Sequence, residues 1–234
     1  MGLLVEEKKI VIPGEELAAG IDYLPALGTY REEDKIYSSQ LGMVNVSGRL
    51  IKVISLSGRY IPKIGDTVIG KIANIGFNGW MIDIGYAYEA ALSLKEATSD
   101  FIERGSDLTK YFDFGEIIVA NVINVTKSKM IDLSMKGPGL RKLKGGKLME
   151  VTSSKVPRVI GKQGSMISLI KNATNCKIIV GQNGLIWISG EDPDKEMIAA
   201  SAILKIEQEA HVSGLTDKIS AFLQQEAQND SSLH

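Results

Sequence analysis

Hydrophobic and polar residues alternate in five short segments along the middle of the chain, each bounded by glycine, asparagine or serine. The segments are GDTVIGKIANIG, NGWMIDIG, YAYEAALSL, GEIIVANVINVT and SKMIDLSMK, between residues 65 and 136. Five strands in about 75 residues predict a five-stranded Greek-key barrel of the OB type. In the first segment, alternation assigns Val68, Gly70, Ile72 and Asn74 to one side and Ile69, Lys71, Ala73 and Ile75 to the other.

A different pattern follows the barrel. The stretches GKLMEVTSS, KVPRVIG, SMISLIKNAT, CKIIVG, LIWISG and DPDKEMIAASAILKIEQEA predict the order β-α-α-β-β-α. Pro157 suits the first turn of the first helix, and the turn at residues 182–184 joins the two later strands into a hairpin. Asp192 can cap the third helix, with Pro193 at its first position. This pattern predicts a compact α+β domain that closes near residue 212.

The predicted fold class is therefore a multidomain protein with β-rich, OB-barrel and α+β parts. We expect five segments: a β-rich N-terminal docking domain at 1–58, the barrel at 59–136, a basic, glycine-rich hinge at 137–146, the α+β domain at 147–212, and a C-terminal helix and tail at 213–234. Leu215, Ile219, Phe222 and Leu223 form an apolar stripe on the last helix, which favours packing of that helix on its own domain.

Charge is strongly segregated although the chain as a whole has a formal net charge of −1. Residues 127–177 hold 12 basic and 2 acidic side chains, whereas residues 1–126 hold 12 and 17 and residues 191–234 hold 3 and 9. A basic segment of this density is typical of surfaces that bind a phosphate backbone, although a solvated face or a flexible linker would have the same composition.

Several functional classes are disfavoured by composition. The single cysteine, Cys176, excludes an internal disulfide and a CxxC metal site, and the two histidines, His211 and His234, have no metal-ligand spacing. We therefore predict no metal, no cofactor and no enzymatic activity, since no nucleophile and base are paired in the sequence. No apolar run approaches the roughly 20 residues of a membrane span, and the first residues lack a signal-peptide pattern, so we expect a cytoplasmic location and no membrane contact.

The stretch VPRVIGKQGSMISLIK contains the strongest candidate for chemistry. Gly161, Lys162, Gln163 and Gly164 form a Gly-x-x-Gly corner between two predicted helices, where the backbone can approach a ligand closely. The helix that follows presents unpaired N–H groups and the positive end of its dipole. Four basic residues flank the corner: Lys155, Arg158, Lys162 and Lys171. Together they predict a site for a sugar-phosphate chain, against the alternative of a purely structural corner.

Further candidates lie in the barrel and the hinge. Phe77 and Asn78 occupy the turn between strands one and two, and Lys127 and Lys129 occupy the loop between strands four and five, which OB folds use for binding. The basic residues of the hinge could contact RNA or an acidic partner: Arg141, Lys142 and Lys144. Trp80 and Trp187 are expected in the core, and core or interface burial is also an alternative for Phe77.

Two local resemblances fit these patterns. IGKQGSMI is similar to the IGxxGxxI motif of KH domains of the β-α-α-β-β-α type, whose loop clamps about four nucleotides. The barrel resembles OB folds of the ribosomal-protein-S-one type through GDTVIGKI, GWMIDIG, EAALSL and MIDLSMK. That family commonly stacks bases on aromatic residues in a stretch written DFGAFVDI and uses a nearby histidine. This chain has FNGWMID and Ser93 at those places, so the resemblance does not supply a stacking platform.

The order of the domains, together with IPGEEL, GTYREEDKIY, GLRKLKGGKLMEV, KVPRVIGKQGSMI and VGQNGLIWISG, resembles the RNA-binding cap subunits of the archaeal exosome, the ribosomal RNA processing protein four family. The resemblance implies a noncatalytic subunit that binds single-stranded RNA with little sequence preference. It also implies a three-fold cap, built from copies of this chain or a related cap subunit, on a hexameric phosphorolytic ring of catalytic and noncatalytic subunits. The cap would capture RNA and pass 3′ ends to a pore for 3′-to-5′ degradation and processing. The alternative is a KH- and OB-containing transcription or translation factor that acts outside any nuclease complex.

Overall fold

A computed structural model of the chain describes residues 2–56, 58–100, 102–103, 105–210, 212 and 214–231, with side chains up to residue 226. The chain divides into two compact units, Met1–Gly58 and Arg59–His234. The first is the small N-terminal domain, and the second contains the barrel and the KH domain.

The N-terminal unit consists of two small sheets around one apolar core. Its strands are β1 (Ile10–Val11), β2 (Glu16–Ala19), β3 (Leu24–Pro25), β4 (Thr29–Glu32), β5 (Lys35–Ser38), β6 (Gly42–Ser47) and β7 (Leu50–Ser55). One sheet has the order β1-β6-β7-β3 and the other the order β2-β5-β4. Buried side chains that include Val11, Leu17, Ile36 and Val53 fill the core. The predicted β-rich N-terminal domain is therefore confirmed as a folded unit.

A closed barrel begins the second unit. Its strands are β8 (Thr67–Gly76), β9 (Gly79–Asp83), β10 (Ala90–Ser93), β11 (Ile117–Val125) and β12 (Ile131–Ser134), and a short helix α1 (Leu94–Ala97) follows β10. The barrel closes because β12 pairs in parallel with β10 and antiparallel with β11. Its interior is filled by apolar residues, among them Val68, Ile72, Trp80 and Leu133. The predicted five-stranded OB-type barrel is confirmed.

The predicted alternation along β8 holds only as far as Ile72. The pairing of β8 with β9 shifts register between Ile72 and Asn74, which is a β-bulge. Because the extra residue exchanges the two faces of the strand, Asn74 is exposed and Ile75 packs against the barrel core. The assignment of Asn74 to the same side as Val68 was therefore wrong, and the bulge is the reason.

The glycine-rich segment expected to be a hinge is partly built into the barrel. Residues Lys142–Leu143 form β13, which pairs antiparallel with the start of β11. The Val119 N–H also donates to the carbonyl of Arg141 at 2.9 Å, and Leu143 is buried. These hydrogen bonds anchor residues 141–143 to the barrel, so this part of the segment is not a free hinge.

The KH domain follows with the predicted element order. It consists of β14 (Lys147–Glu150), α2 (Val156–Ile160), α3 (Ser165–Thr174), β15 (Lys177–Val180), β16 (Leu185–Ser189) and α4 (Pro193–Gln208), with the C-terminal helix α5 (Leu215–Ser231) after it. The sheet is antiparallel, with the order β14-β16-β15. The Asp192 side chain accepts the Asp194 N–H at 2.9 Å, which confirms the predicted cap of α4.

The C-terminal helix packs on the KH domain. Leu215, Ile219 and Leu223 are buried in the same apolar cluster as the inner faces of α3 and α4, and Phe222 packs against it. Lys205 of α4 lies 4.7 Å from the centre of the Phe222 ring, a cation–π contact. The expectation that α5 covers its own domain is confirmed.

Candidate nucleic-acid interface

The backbone of the Gly-x-x-Gly corner has a conformation that few residues adopt. Gly161 (φ 75°, ψ 174°) lies in a region that is nearly exclusive to glycine, and Gln163 (φ 53°) and Gly164 (φ 79°) are left-handed. A Cβ atom on Gly161 would lie 2.6 Å from Cβ of Met166, whereas one on Gly164 would meet only Ile167, at 4.0 Å. Gly161 therefore serves the packing of the corner, and Gly164 leaves an open surface beside it.

Hydrogen bonds inside the corner hold this shape. The Gly161 N–H donates to the carbonyl of Pro157 at 3.0 Å, the Gly164 N–H to Gly161 at 3.2 Å, and the Ser165 N–H to Lys162. These three donors are therefore not free for a ligand. Ser165 begins α3, so the positive end of that helix dipole lies at the corner.

Two basic side chains flank this corner, and a third precedes α2. Arg158 is in the last turn of α2 and is exposed, Lys162 is exposed in the corner itself, and Lys155 is half-buried just before α2. None of the three makes an ion pair with another residue among those that the structure describes. Arg158 and Lys162 therefore bring positive charge to the corner that no ion pair within the described residues neutralises.

A cavity of about 600 Å³, here called the loop cavity, opens beside the corner. Arg158, Lys162 and Ser165 line one side, and the first turn of α5, with Thr216 and Asp217, lines another. The position of α5 beside the corner has no signal in the sequence, because the apolar stripe of this helix predicts only that it packs on the domain. Asp217 consequently places a carboxylate beside the two cations that would meet a phosphate.

Lys171 does not belong to this group. It occupies the last turn of the ten-residue helix α3, whereas the corner precedes the first turn. At about 1.5 Å per residue the two sites lie about 9 Å apart along the helix axis. Lys171 instead lines a second cavity together with Arg141 and Lys177. The sequence-based grouping of Lys171 with the corner was wrong, because it ignored the length of the helix between them.

The candidate residues of the β8–β9 turn are exposed. The Phe77 side chain is 98% accessible and Asn78 is also exposed. Trp80, three residues later, is buried in the barrel core, where its Nε1–H donates to the carbonyl of Phe112 at 2.9 Å. The core interpretation is therefore confirmed for Trp80 and is wrong for Phe77, whose ring is free to stack.

The other end of the barrel combines lysines with aromatic rings. Lys127 and Lys129 are exposed in the loop that joins β11 to β12. Because Ala90 pairs with Ile131, the loop that precedes β10 lies at the same end of the barrel. That loop holds Tyr86 and the exposed Tyr88, whose ring centres are 6.0 Å apart. No motif in the sequence marks this pair, because OB folds of this type are expected to place their stacking rings in strands two and three.

The basic residues of the connecting segment differ in their partners. Lys142 forms an ion pair with Glu116, whereas Arg141 and Lys144 are exposed. Burial opposes the ionisation of Glu116, but the hydrogen bonds from Lys142 and from the Asp113 N–H outweigh it, so the pKa of Glu116 lies below its ordinary value. Lys142 therefore holds β13 to the start of β11 and is less available to RNA than its neighbours.

The barrel and the KH domain are joined by a buried asparagine. Asn183, in the β15–β16 turn, donates from Nδ2 to the carbonyls of Ile69 at 2.7 Å and Ile84 at 2.9 Å, and its Oδ1 accepts the Ile69 N–H at 3.3 Å. Gln182 adds a backbone bond to Thr67 at 2.8 Å. These bonds fix the β15–β16 turn of the KH sheet against the barrel.

Apolar packing strengthens the same junction. Trp187 is buried with Ile69, Val119 and Leu143, and its Nε1–H donates to the carbonyl of Gly145 at 2.8 Å. The expected burial of Trp187 is confirmed, but its neighbours belong to the barrel and the connecting segment as well as to the KH sheet. The ring is therefore not available to stack with a base.

The described part of the chain contains no cluster of metal-ligating side chains and no helix that could span a membrane. Among those residues no group of three or more histidine, cysteine, aspartate or glutamate side chains could hold a metal ion, and both histidines lie outside them. The helices within the same residues include none that is long and apolar enough to cross a membrane. Cys176 is buried.

Three family models match the chain in the order of its domains. They are the N-terminal domain of the exosome RNA-binding protein RRP4 over residues 8–57, the S1 domain of RRP4 over residues 59–124, and a KH domain over residues 146–194. The matches follow the three folded regions described above.

Whole-chain similarity agrees with these matches. Exosome complex component Rrp4 of Pyrococcus furiosus is 46% identical over 224 residues, which cover 94% of this chain and 84% of the relative. The same component of Methanothermus fervidus is 46% identical over 222 residues, which cover 94% and 97% of the two chains. A crystal structure described as an exosome complex RNA-binding protein has a TM-score of 0.68 and 36% identity, and covers 74% of this chain and 99% of its own.

Proposed function

Because this chain belongs to the Rrp4 family of exosome complex components, we propose that it is a noncatalytic, RNA-binding subunit of an exosome. In this proposal three copies, or copies mixed with a related cap subunit, form a cap on a hexameric phosphorolytic ring. The cap captures single-stranded RNA with little sequence preference and guides 3′ ends to the pore for 3′-to-5′ degradation and processing. The proposed setting is the cytoplasm, and residues 1–58 supply the docking to the ring.

The backbone conformation and the charge of the Gly-x-x-Gly corner support the RNA-binding part of the proposal. Gly161, Gln163 and Gly164 have positive φ angles, the side of Gly164 is open, and the unpaired cations Arg158 and Lys162 lie beside a helix N-terminus. A backbone of this shape lets a phosphate approach the main chain, and the cations neutralise its charge. We propose Lys155 as a further contact at the rim of this site.

The barrel extends the proposed surface. The exposed Phe77 ring and the neighbouring Asn78 offer a stacking face and an amide at one end, and Lys127 and Lys129 offer charge at the other. Contacts of this kind track a strand without reading its sequence, because every base has a flat face and every phosphate a charge. A subunit that accepts many different RNAs needs such contacts. Arg141 and Lys144 continue the basic surface from the barrel towards the KH domain.

The corner is tested by the double variant Lys162→Asp/Gln163→Asp. We expect its affinity for single-stranded RNA to fall at least about tenfold near physiological salt, because a cation is lost and two carboxylates face the phosphate. Lys195→Asp/Gln224→Asp is the matched control, since it changes the formal charge equally at exposed helix positions. Full retention of affinity in the first variant, with unchanged folding, would contradict a role of the corner in RNA binding.

The assignment to an exosome is tested separately. The protein is mixed with the catalytic and noncatalytic ring subunits, and co-elution and phosphate-dependent decay of a single-stranded RNA are measured. We expect one complex and faster decay in the presence of the protein. Failure to co-elute at low and at physiological salt would contradict the cap proposal. RNA binding by the isolated protein would then still support the function of the corner.

A further inference from the structure

A second cavity, here called the junction cavity, lies between the barrel and the KH domain. Its volume is about 610 Å³, which is within the range of sites that hold small ligands. Its walls come from three parts of the chain: barrel strands β8 and β11, the connecting residues 138–141, and the KH elements α3 and β15. The cavity therefore exists only where both domains are present.

Three cations line the junction cavity: Arg141 from the connecting segment, Lys171 from the last turn of α3 and Lys177 from the start of β15. No aspartate or glutamate is among the residues that line it. Within the described part of the chain, none of the three cations forms an ion pair. Like charges gathered in this way repel one another, so an anion that enters the cavity is stabilised by all three.

The remaining walls suit the other parts of a nucleotide. The Thr67 hydroxyl donates to Asn121 Oδ1 at 2.8 Å, which orients the Asn121 amide and leaves its Nδ2 donors to other partners. Leu140 and Ile179 are partly buried and add apolar surface. The cavity therefore combines cations that can bind a phosphate, the Asn121 amide, which can bind the polar edge of a base, and an apolar wall against which the base can pack.

The cavity is preformed because the junction is rigid. Asn183 makes three hydrogen bonds to backbone groups of the barrel, and Trp187 is hydrogen-bonded to Gly145 and buried against barrel residues. A ligand that binds there does not have to bring the two domains together first. Less of its binding free energy is lost to ordering the protein.

We propose that the junction cavity binds a phosphate-bearing nucleotide of the RNA strand whose neighbouring nucleotides lie on the Gly-x-x-Gly corner. This inference rests on the proposed RNA-binding function and adds a second, composite site to it. Helix α3 connects the two sites, with the corner at its N-terminal end and Lys171 in its last turn, about 9 Å further along the axis. A strand that leaves the corner along α3 therefore reaches the cavity within a few nucleotides.

The test uses the full chain with Lys171→Ala/Lys177→Ala. The matched control is Lys63→Ala/Lys195→Ala, which removes two exposed lysines outside the cavity. Two oligouridines serve as probes: one of about four nucleotides, which the corner alone can hold, and one of about 15 nucleotides. Affinity is measured over a range of salt concentrations, and thermal melting establishes that both variants are folded.

We expect the cavity variant to weaken binding of the long RNA about tenfold and to reduce the slope of log affinity against log salt by about 1.4, or 0.7 for each lost phosphate contact. Binding of the short RNA should change less than about twofold, and Lys171→Arg/Lys177→Arg should retain the affinity for the long RNA. A long-RNA affinity and salt slope equal to those of the control would overturn the proposal, although the RNA-binding function would stand. Absence of RNA binding by the unmodified protein would overturn both.

A free nucleotide offers the same phosphate chemistry, and adenosine 5′-monophosphate serves as the probe for it. Binding of this nucleotide that is lost in Lys171→Ala/Lys177→Ala, with unchanged affinity for the long RNA, would assign the cavity to free nucleotides and overturn its place on the RNA path. Competition of the nucleotide with the long RNA but not with the short RNA would support the proposed path.

Discussion

Replacement of Asn183 by alanine tests how firmly the barrel and the KH domain are joined. Asn183 is buried, and its amide makes all three of its hydrogen bonds to backbone groups of the barrel: the N–H and C=O of Ile69 and the C=O of Ile84. The alanine variant leaves these three groups without their partner. The neighbouring turn bond from Gln182 to Thr67 is a backbone bond and remains possible.

The size of the effect follows from the number of groups left unpaired. A buried polar group that loses its partner costs about 1–3 kcal/mol, and a water molecule that enters the vacated space recovers part of this cost. We therefore expect Asn183→Ala to lower the free energy of unfolding by roughly 2–4 kcal/mol, against a total of about 5–15 kcal/mol for a typical domain. Asn172→Ala, at an exposed position of α3, is the control and should change it by less than about 0.5 kcal/mol.

The chain carries suitable probes for this measurement. Its two tryptophans are Trp80 in the barrel core and Trp187 at the junction. Urea unfolding is followed by tryptophan fluorescence and by far-ultraviolet circular dichroism. Hydrogen exchange is measured at the Ile69 N–H, which donates a hydrogen bond to Asn183 Oδ1. We expect a lower unfolding midpoint, two separable transitions in place of one, and faster exchange at Ile69. A loss of stability below about 0.5 kcal/mol with unchanged protection of Ile69 would refute the argument.

Three further predictions concern the corner and the connecting segment. Gly161→Ala should cost about 1–3 kcal/mol of stability for its backbone conformation alone and more for the contact with Met166, whereas Gly164→Ala should cost only about 1–2 kcal/mol; equal urea midpoints would contradict the difference in packing. Asp217→Asn should strengthen RNA binding about two- to threefold at low salt, because it removes a negative charge that lines the loop cavity. An unchanged affinity would show that the bound RNA does not pass beside α5. The Glu116–Lys142 pair lowers the pKa of Glu116 in the folded protein below its ordinary value of 4.5. The pair therefore adds less than about 1 kcal/mol to the free energy of unfolding, which is present above pH 4.5 and is lost as the pH falls through the lowered pKa of the folded state. Thermal melting of Glu116→Gln and of the unmodified protein should therefore converge in acid, and a constant difference across that range would show that the pair is not responsible.

Local signals were sufficient for the elements and for the corner. The spacing of Gly161 and Gly164 between two apolar helical stretches predicts a turn with positive φ angles, and the structure has them there. Pro193 after the cap residue Asp192 marks the start of α4 correctly. These features depend on the conformational preferences of a few adjacent residues, which is why a single sequence reveals them.

Features that depend on distant parts of the chain could not be predicted in the same way. The turn that contains Asn183 is recognisable in the sequence, but its partners lie 99 and 114 residues earlier. Tyr88 lies at the same end of the barrel as Lys127 only because the first pair of β10 and β12 is Ala90 with Ile131. The exchange of faces at Asn74 results from a bulge, for which alternation of residues gives no signal.

The position of Lys177 shows what a count of charges along the sequence cannot predict. Its charge is part of the basic segment that the composition identifies, yet no motif distinguishes it from the other lysines. Its significance comes from the edge of the cavity, where the start of β15 meets the last turn of α3 and the connecting segment. Charge counted along the chain therefore located the basic region but not the residues that act together.

The bonds of Asn183 also have a consequence for the order in which the chain folds. They span 99 and 114 residues, so the contact order of the second unit is high, and pairings of this kind form late because a long loop must close first. During synthesis the barrel leaves the ribosome before the β15–β16 turn exists. Until the turn arrives, the backbone groups of Ile69 and Ile84 and the apolar side chain of Val119 lack their partners. A fragment that ended after the barrel would keep this surface exposed, and we expect it to aggregate more readily than the full chain.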